Sequence, residues 1–229
     1  MQINRVYETA DAPAGLSLKV PSFPAGPWPP DGLPLPVENE KIYKPEGQFR
    51  VLCAMDLLRE LAADEAIFKR DHPEWRERMF FLLGQVLRAP DGNLYSWIQR
   101  YLEAEDVTAT SSAFSFGPLT WDKAMRKVPA GKLIQGSAHG HSIYSMGDPS
   151  GKTPCSVTST SGLFLSASDV DTAYHRGFGE PFSITMVIDS DQIASEDSAR
   201  ALGIHELGKV FGVWGFNQGL LLRRSLVVI

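Results

Sequence analysis

Two histidines one residue apart and a downstream aspartate are the residues of this sequence best suited to bind a metal. His139 and His141 flank Gly140, and Asp169 ends the Ser-Ala-Ser-Asp segment that begins at Ser166. Residues two apart on an extended strand project to the same face, so both imidazoles can reach one ion. Three protein ligands with an open fourth position are typical of a catalytic zinc. The residue types therefore favour one hydrolytic Zn²⁺ per chain.

The same residues also fit simpler interpretations. A His-x-His pair on a strand also occurs as two unrelated surface or core histidines. The segment from Ser166 to Asp169 resembles a capping box, in which side-chain and backbone groups at a helix start bond reciprocally. Capping and metal binding are compatible, because side chains at the start of a helix project toward the preceding loop.

The elements around these residues can be predicted from local patterns. Residues 132–139 predict a strand carrying the histidine pair, and residues 166–175 predict a helix that begins at the Ser-x-x-Asp segment. Residues 142–162 are rich in Gly, Ser, Thr and Pro, which predicts a long loop. Residues 182–189 predict the strand that follows the helix.

The remaining segments predict a sheet layered by helices, an α/β or α+β fold. Residues 49–70 carry apolar side chains at helical spacing, and Asp71 resembles the cap of a second helix. Residues 217–219, Asn-Gln-Gly, predict a hairpin turn between two apolar runs. The other predicted elements are strands over 79–83, 86–87, 97–107 and 113–116, a turn at 89–93 and a short helix over 121–128.

Residues 1–48 form a Pro-rich N-terminal arm, and residues 49–229 form the predicted catalytic domain. Most of the 16 prolines lie in this arm, so it should be extended and close to polyproline II. Two interpretations stay open: a flexible tail, or an arm that packs on the body or binds a protein partner. Apolar side chains favour the second, namely Phe23, Trp28, Leu33 and Leu35.

Composition excludes several other classes of protein. The net charge of −5 argues against a nucleic-acid binder and against a polybasic membrane anchor. We expect no membrane-spanning helix and no secretory signal, because no long apolar run is present. The two cysteines, Cys53 and Cys155, form no metal-binding or disulfide framework, so a cytoplasmic location is expected.

Three segments in this order resemble the JAMM (MPN-plus, JAB-domain) family of zinc metallopeptidases, the deubiquitinase-like isopeptidases of the prokaryotic type. That family has a Glu just ahead of an apolar strand, then Gly-x-x-His-x-His, then Ser-x-x-Asp. The matching stretches are 77–84, 136–141 and 164–171, and a further apolar strand at 183–189 continues the likeness. The resemblance covers residues 50–229 and implies a cytidine-deaminase-like mixed sheet flanked by helices.

The resemblance also implies a role for each matching residue. His139, His141 and Asp169 would hold Zn²⁺. Glu77 would be the general base and acid acting on metal-activated water. Ser166 would donate a hydrogen bond to the oxyanion of the tetrahedral intermediate.

The sequence departs from the family pattern after the second histidine. Ser142 stands where the family has proline, and the spacer from Ser142 to Leu165 is longer than usual. We interpret the extra length as a substrate-binding insertion. The spacing to Leu83-Gly84 favours Glu77 as the base over the other nearby carboxylates, which are Glu74, Glu103 and Glu105.

The function that the resemblance implies is hydrolysis after the C-terminal tail of a ubiquitin-like protein, as deconjugation or precursor processing. One alternative is a catalytically silent MPN-type scaffold, because one fold can serve as enzyme or binding module. Another alternative keeps the zinc but acts on a sulfur-carrier protein or a small amide.

Overall fold

A computed structural model describes residues 35–36, 49–72, 76–88, 94–110, 113–143, 161–175, 178, 182–217 and 220–229. The predicted turn at 89–93, Glu74, Cys155, most of the Pro-rich arm and most of the 142–162 loop lie outside these residues. The strands are β1 (Leu35–Pro36), β2 (Phe49–Cys53), β3 (Met79–Arg88), β4 (Leu94–Glu103), β5 (Thr108–Ala109), β6 (Phe114–Ser115), β7 (Leu133–His141), β8 (Ile184–Asp189), β9 (Phe211–Asn217), β10 (Leu220–Arg223) and β11 (Leu226–Val228). The helices are α1 (Met55–Asp71), α2 (Pro118–Lys127), α3 (Ala167–His175), α4 (Glu196–Arg200) and α5 (Ile204–Val210), with a 3₁₀ turn at Ser190–Gln192.

The main sheet is mixed and contains nine of these strands. Their order is β1-β11-β2-β4-β3-β7-β8-β9-β10, while β5 and β6 form a separate two-stranded sheet. Strand β3 runs antiparallel to both β4 and β7, whereas β7 and β8 are parallel. The predicted fold class, a mixed α/β sheet flanked by helices, is therefore confirmed.

The sheet curls until its two ends meet. Strands β10 and β11 lie near opposite ends of the strand order but are separated in the chain by Arg224 and Ser225 alone. The Arg224 amide donates to the Val213 carbonyl at 2.8 Å, and the Val51 amide donates to the Ser225 carbonyl at 3.1 Å. The final stretch of chain thus bonds β9 at one end and β2 at the other.

Strand β3 lies in the middle of the sheet and is buried on both faces. Phe80 and Leu82 pack with α1 and the strands around it, whereas Met79 and Phe81 face an aromatic cluster on the opposite side. A strand buried on both faces needs a continuous apolar run, which is the pattern seen at 79–83. The aromatic cluster contains Phe81, Phe114, Phe116, Trp121 and Phe178.

The predicted helix over 49–70 was wrong at its start. Residues Phe49–Cys53 form β2, which pairs in parallel with both β4 and β11, and the helix begins only at Met55. Asp71 is the last residue of that helix rather than the cap of a new one. Pairing with distant strands overrides the helical spacing of these apolar residues, because a sheet removes the same side chains from water.

The other local predictions held more closely. The strands predicted over 79–83 with 86–87, over 132–139 and over 182–189 correspond to β3, β7 and β8, and the helices predicted over 121–128 and 166–175 correspond to α2 and α3. The strand predicted over 97–107 was wrong at its end, because β4 stops at Glu103. The two runs on either side of the predicted turn at 217–219 pair antiparallel as β9 and β10. Of the Pro-rich arm, Leu35–Pro36 pairs antiparallel with β11. No helix in the part of the chain that the structure describes is long and apolar enough to cross a membrane.

Candidate metal centre

Strand β7 and helix α3 bring the three predicted ligands together. His139 and His141 lie two residues apart on β7, and Asp169 lies in the first turn of α3. All three side chains are buried. One possible ligand atom from each residue lies within 4.8 Å of the others, so the three residues could hold a metal ion.

The distances between the ligand atoms fit a tetrahedral ion. The two Nε2 atoms of His139 and His141 are 3.0 Å apart. Asp169 places Oδ1 3.1 Å from His139 Nε2 and Oδ2 3.3 Å from His141 Nε2. Zinc–ligand bonds of about 2.0–2.1 Å imply ligand separations of about 3.3–3.4 Å around a tetrahedron. The observed separations of 3.0–3.3 Å, which involve a different Asp169 oxygen for each histidine, are close to these values.

Charge coupling also distinguishes this group from two unrelated core histidines. Burial acts to raise the pKa of Asp169, but the neighbouring His139 charge holds that pKa well below its usual range. Burial acts to lower the pKa of His139, but the charges of Asp169 and Glu77 raise it overall. Burial lowers the pKa of His141, which favours its neutral form. Metal binding requires an ionised aspartate and neutral imidazoles, so Asp169 and His141 favour the binding forms, whereas His139 would release its proton to an incoming ion.

Glu77 lies beside this group, just ahead of β3. Its side chain is 1% exposed, and its Oε1 is 3.9 Å from His141 Nε2. Neither carboxylate oxygen has a hydrogen-bond partner among the described residues. Buried polar atoms without partners are rare and indicate a missing water, ion or ligand. Both oxygens of Glu77 are therefore available to a water, ion or ligand beside the candidate metal ligands.

The backbone on either side of Glu77 is held firmly. Its amide donates to the Thr110 carbonyl at 2.8 Å. The next residue, Arg78, donates to Glu103 at 2.9 Å and to the Asp64 carbonyl at 3.0 Å. The same guanidinium lies over the rings of Phe68 and Phe80, 4.6 and 4.7 Å from their centroids. These contacts anchor the backbone of residues 77 and 78 just ahead of β3.

The two described rivals of Glu77 have other partners. Glu103 pairs with Arg78, and Glu105 forms ion pairs with Lys123 and Lys127 at the protein surface. Both glutamates are substantially exposed, whereas a base that transfers protons beside the metal ligands must reach them directly. Glu77 is the one of the three that the structure places at the centre.

Ser166 forms the capping box that the sequence suggested. The Ser166 amide donates to Asp169 Oδ2 at 2.7 Å, and the Asp169 amide donates to Ser166 Oγ at 3.2 Å. The Ser166 and Ser168 hydroxyls are 2.9 Å apart. Asp169 can therefore cap the helix and also lie beside the histidines, because the hydrogen bond from the Ser166 amide orients its carboxylate.

The comparisons with known proteins provide no family assignment. No family model matches the chain, and no curated protein matches it significantly.

Glu65 is a buried carboxylate near the centre that the sequence analysis missed. It lies on α1, is fully buried, and accepts a hydrogen bond from the Ser190 hydroxyl at 2.8 Å. A Cβ atom added to Gly140 would lie 2.0 Å from Glu65 Oε1. Gly140 therefore allows α1 to approach the strand between the two histidines. No local pattern distinguishes Glu65 from the other acidic residues of α1, which are Asp56, Glu60, Asp64 and Asp71.

We expect Gly140→Ala to lower the free energy of unfolding by about 1–3 kcal/mol, because the new methyl group overlaps the Glu65 carboxylate. Urea unfolding of the single variants, Gly140→Ala and Glu65→Ala, and of the double variant measures this. The methyl group should cost less stability in the Glu65→Ala background. Additive effects within about 0.5 kcal/mol would contradict the proposed contact.

The metal-free protein should show a pH dependence that comes from Glu77. Burial raises the pKa of Glu77 from 4.5 to about 8, although the His139 charge opposes the shift. The protonated side chain therefore contributes stability fully below pH 4.5, and that contribution is lost as the pH rises through about 8.

Glu77→Gln stays neutral, so its unfolding free energy should increasingly exceed that of wild type across this window, by at most about 1.4 kcal/mol per pH unit. Urea unfolding of both proteins after chelator treatment measures the difference. A difference that stays constant with pH would contradict the buried, protonated form of Glu77.

Proposed function

We propose that this chain is a zinc-dependent isopeptidase or peptidase that cleaves after the C-terminal tail of a ubiquitin-like protein. The observation that carries the proposal is a buried His139, His141 and Asp169 group with the unpartnered carboxylate of Glu77 beside it. Three ligands plus one adjacent base are the arrangement of hydrolytic zinc sites. The substrate class comes from the resemblance to JAMM isopeptidases.

The protein would supply binding, orientation and proton transfer. A zinc ion held by the three ligands would supply Lewis acidity and lower the pKa of water from 15.7 to about 7. Glu77 would take a proton from the attacking water and deliver it to the leaving amine, for which both of its oxygens are free of other described partners. Its proton affinity would fall beside a bound cation, toward the range useful to a general base.

Ser166 would stabilise the developing oxyanion. Its Oγ accepts from the Asp169 amide and lies beside the Ser168 hydroxyl. If Ser168 donates to it, both acceptor positions of Ser166 are used and its own proton is available to the substrate. The cap would then orient the donor as well as the metal ligand.

The arrangement of elements supports a JAMM-like fold. Glu77 precedes β3, and the histidines lie on β7, which pairs antiparallel with β3. Asp169 lies on the helix between β7 and β8, and β8 runs parallel to β7. The three segments of the resemblance are therefore neighbours in space, in the relation that a shared active site requires.

Metal content and cleavage together test the proposal. Purified protein is reloaded with zinc, dialysed and assayed for metal, then incubated with a ubiquitin-like fusion and with a short peptide of the same tail. We expect about one zinc per chain and cleavage at the end of the ubiquitin-like tail. Absence of zinc would favour the scaffold interpretation. Bound zinc with cleavage of small amides alone would overturn the proposed substrate.

A further inference from the structure

A tight turn at residues 161–164 contacts the imidazole of His141, one of the candidate ligands. The Gly162 carbonyl is 3.0 Å from His141 Nδ1. A carbonyl oxygen can only accept, so this contact requires the proton of the ring to be on Nδ1. The Phe164 ring packs against the same imidazole, with ring centroids 4.9 Å apart. The turn thus fixes both the tautomer and the plane of His141.

Asp189, at the end of β8, holds this turn in place. Its Oδ2 accepts from the Gly162 amide at 2.8 Å and from the Ser161 hydroxyl at 3.0 Å. Its Oδ1 accepts from the Asp191 amide at 3.2 Å. The side chain is fully buried, so these donors replace the water it has lost.

Gly162 is suited to this close approach. A Cβ atom added there would lie 3.0 Å from Asp189 Oδ1 and 3.3 Å from the His141 Cβ. Gly162 therefore packs closely between the Asp189 carboxylate and the His141 side chain. Asp189 also lies directly opposite His141 in the pairing of β7 with β8, so the same two strands set both positions.

We propose that Asp189 is a positioning residue that acts through Gly162 to keep His141 in the Nδ1–H tautomer, with the Nε2 lone pair directed at the metal site. The role of this tautomer in metal binding rests on the proposed zinc centre. Outer hydrogen bonds of this kind orient metal-binding histidines, and their loss typically lowers metal affinity by about 10–100-fold. Among the described residues, Nδ1 of His139 has no comparable partner.

A carboxylate is needed at this position because three donors converge on it. Asparagine offers one acceptor oxygen and an NH₂ group that would face another donor. Asp189→Asn should therefore release the turn while keeping the volume of the side chain.

Asp191 provides the matched control. It is a neighbouring carboxylate that accepts from the Ser142 hydroxyl and the Ile143 amide, both at 2.8 Å, and from Lys69 at 2.8 Å. It has a comparable number of hydrogen bonds but does not contact the turn at 161–164 through them. Asp191→Asn should cost stability without changing the tautomer of His141.

The experiment compares wild type, Asp189→Asn and Asp191→Asn as full chains. Two-bond ¹H–¹⁵N spectra of the metal-free proteins at about pH 8, above the usual imidazole pKa of about 6.5, report the tautomer of each histidine. We expect His141 to be protonated at Nδ1 in wild type and Asp191→Asn and to become mixed in Asp189→Asn. Zinc affinity, measured by chelator competition, should fall about 10–100-fold in Asp189→Asn and less in the control.

An unchanged His141 tautomer in folded Asp189→Asn, or an equal loss of zinc affinity in both variants, would overturn the proposal. If Asp189→Asn fails to fold, Ser161→Ala decides, because it removes one donor to Asp189 Oδ2; a mixed tautomer supports the proposal and an unchanged one overturns it. The spectra need no metal. A wild-type protein that binds no zinc would therefore defeat the proposed function, while the tautomer still tests Asp189.

Discussion

Glu77→Gln is expected to leave zinc bound while lowering kcat by about two to four orders of magnitude. Glutamine keeps the size of the side chain but cannot take up a proton. The carboxylate is 3.9 Å from His141 Nε2, whereas Asp169 is within 3.3 Å of both histidines, so Glu77 is not needed to hold the ion. KM should change little, because the substitution removes a proton-transfer group rather than a binding surface.

Turnover of a ubiquitin-like fusion and the zinc content of the same preparation measure this result. Glu105→Gln is the matched control, since Glu105 is a surface glutamate paired with Lys123 and Lys127. Its turnover should remain near that of wild type. If Glu77→Gln retains full turnover, another residue is the base; if it loses zinc, Glu77 is a ligand instead.

His139→Ala is expected to lose the zinc and the stability that zinc provides. The substitution removes one of the three candidate ligands. It also removes the His139 charge that lowers the pKa of the buried Asp169 carboxylate. A ligand at 100 times its Kd stabilises a folded protein by about 2.7 kcal/mol, and this increment should disappear. Because ligation couples to folding, the apparent melting temperature should no longer rise on addition of zinc.

Metal analysis and thermal unfolding with and without zinc measure this effect. His175→Ala is the matched control, because His175 is an exposed histidine on α3 that pairs with Asp171. It should keep about one zinc per chain. Equal zinc content in both variants would show that the His139 and His141 pair is not the binding site.

Elements with strong local signals could be predicted from the sequence. An apolar run identified β3, the segment leading to the histidine pair identified β7, and the Ser-x-x-Asp cap identified the start of α3. Strand β2 could not be identified in this way. Val51 lies at helical spacing from Met55 and Leu58 of α1, and only pairing with β4 and β11 makes its segment a strand.

The supporting residues of the site depend on contacts between distant parts of the chain. Glu65 meets Ser190 across 125 residues, and Asp189 meets Gly162 across 27. Arg78 holds its position through Glu103 and two aromatic rings that no local pattern connects to it. Such contacts arise from strand register and helix docking, which short-range spacing does not encode.

The sequence by itself determined the candidate ligands, because His139 and His141 must share a face of any strand and Asp169 must lie in the first turn of any helix that Ser166 caps. Only the tertiary structure decided that these side chains meet and that Glu77 reaches them. The antiparallel pairing of β3 with β7 and the return of α3 over the sheet set those distances. Local periodicity defines the direction of a side chain, whereas burial and long-range hydrogen bonding define its neighbours.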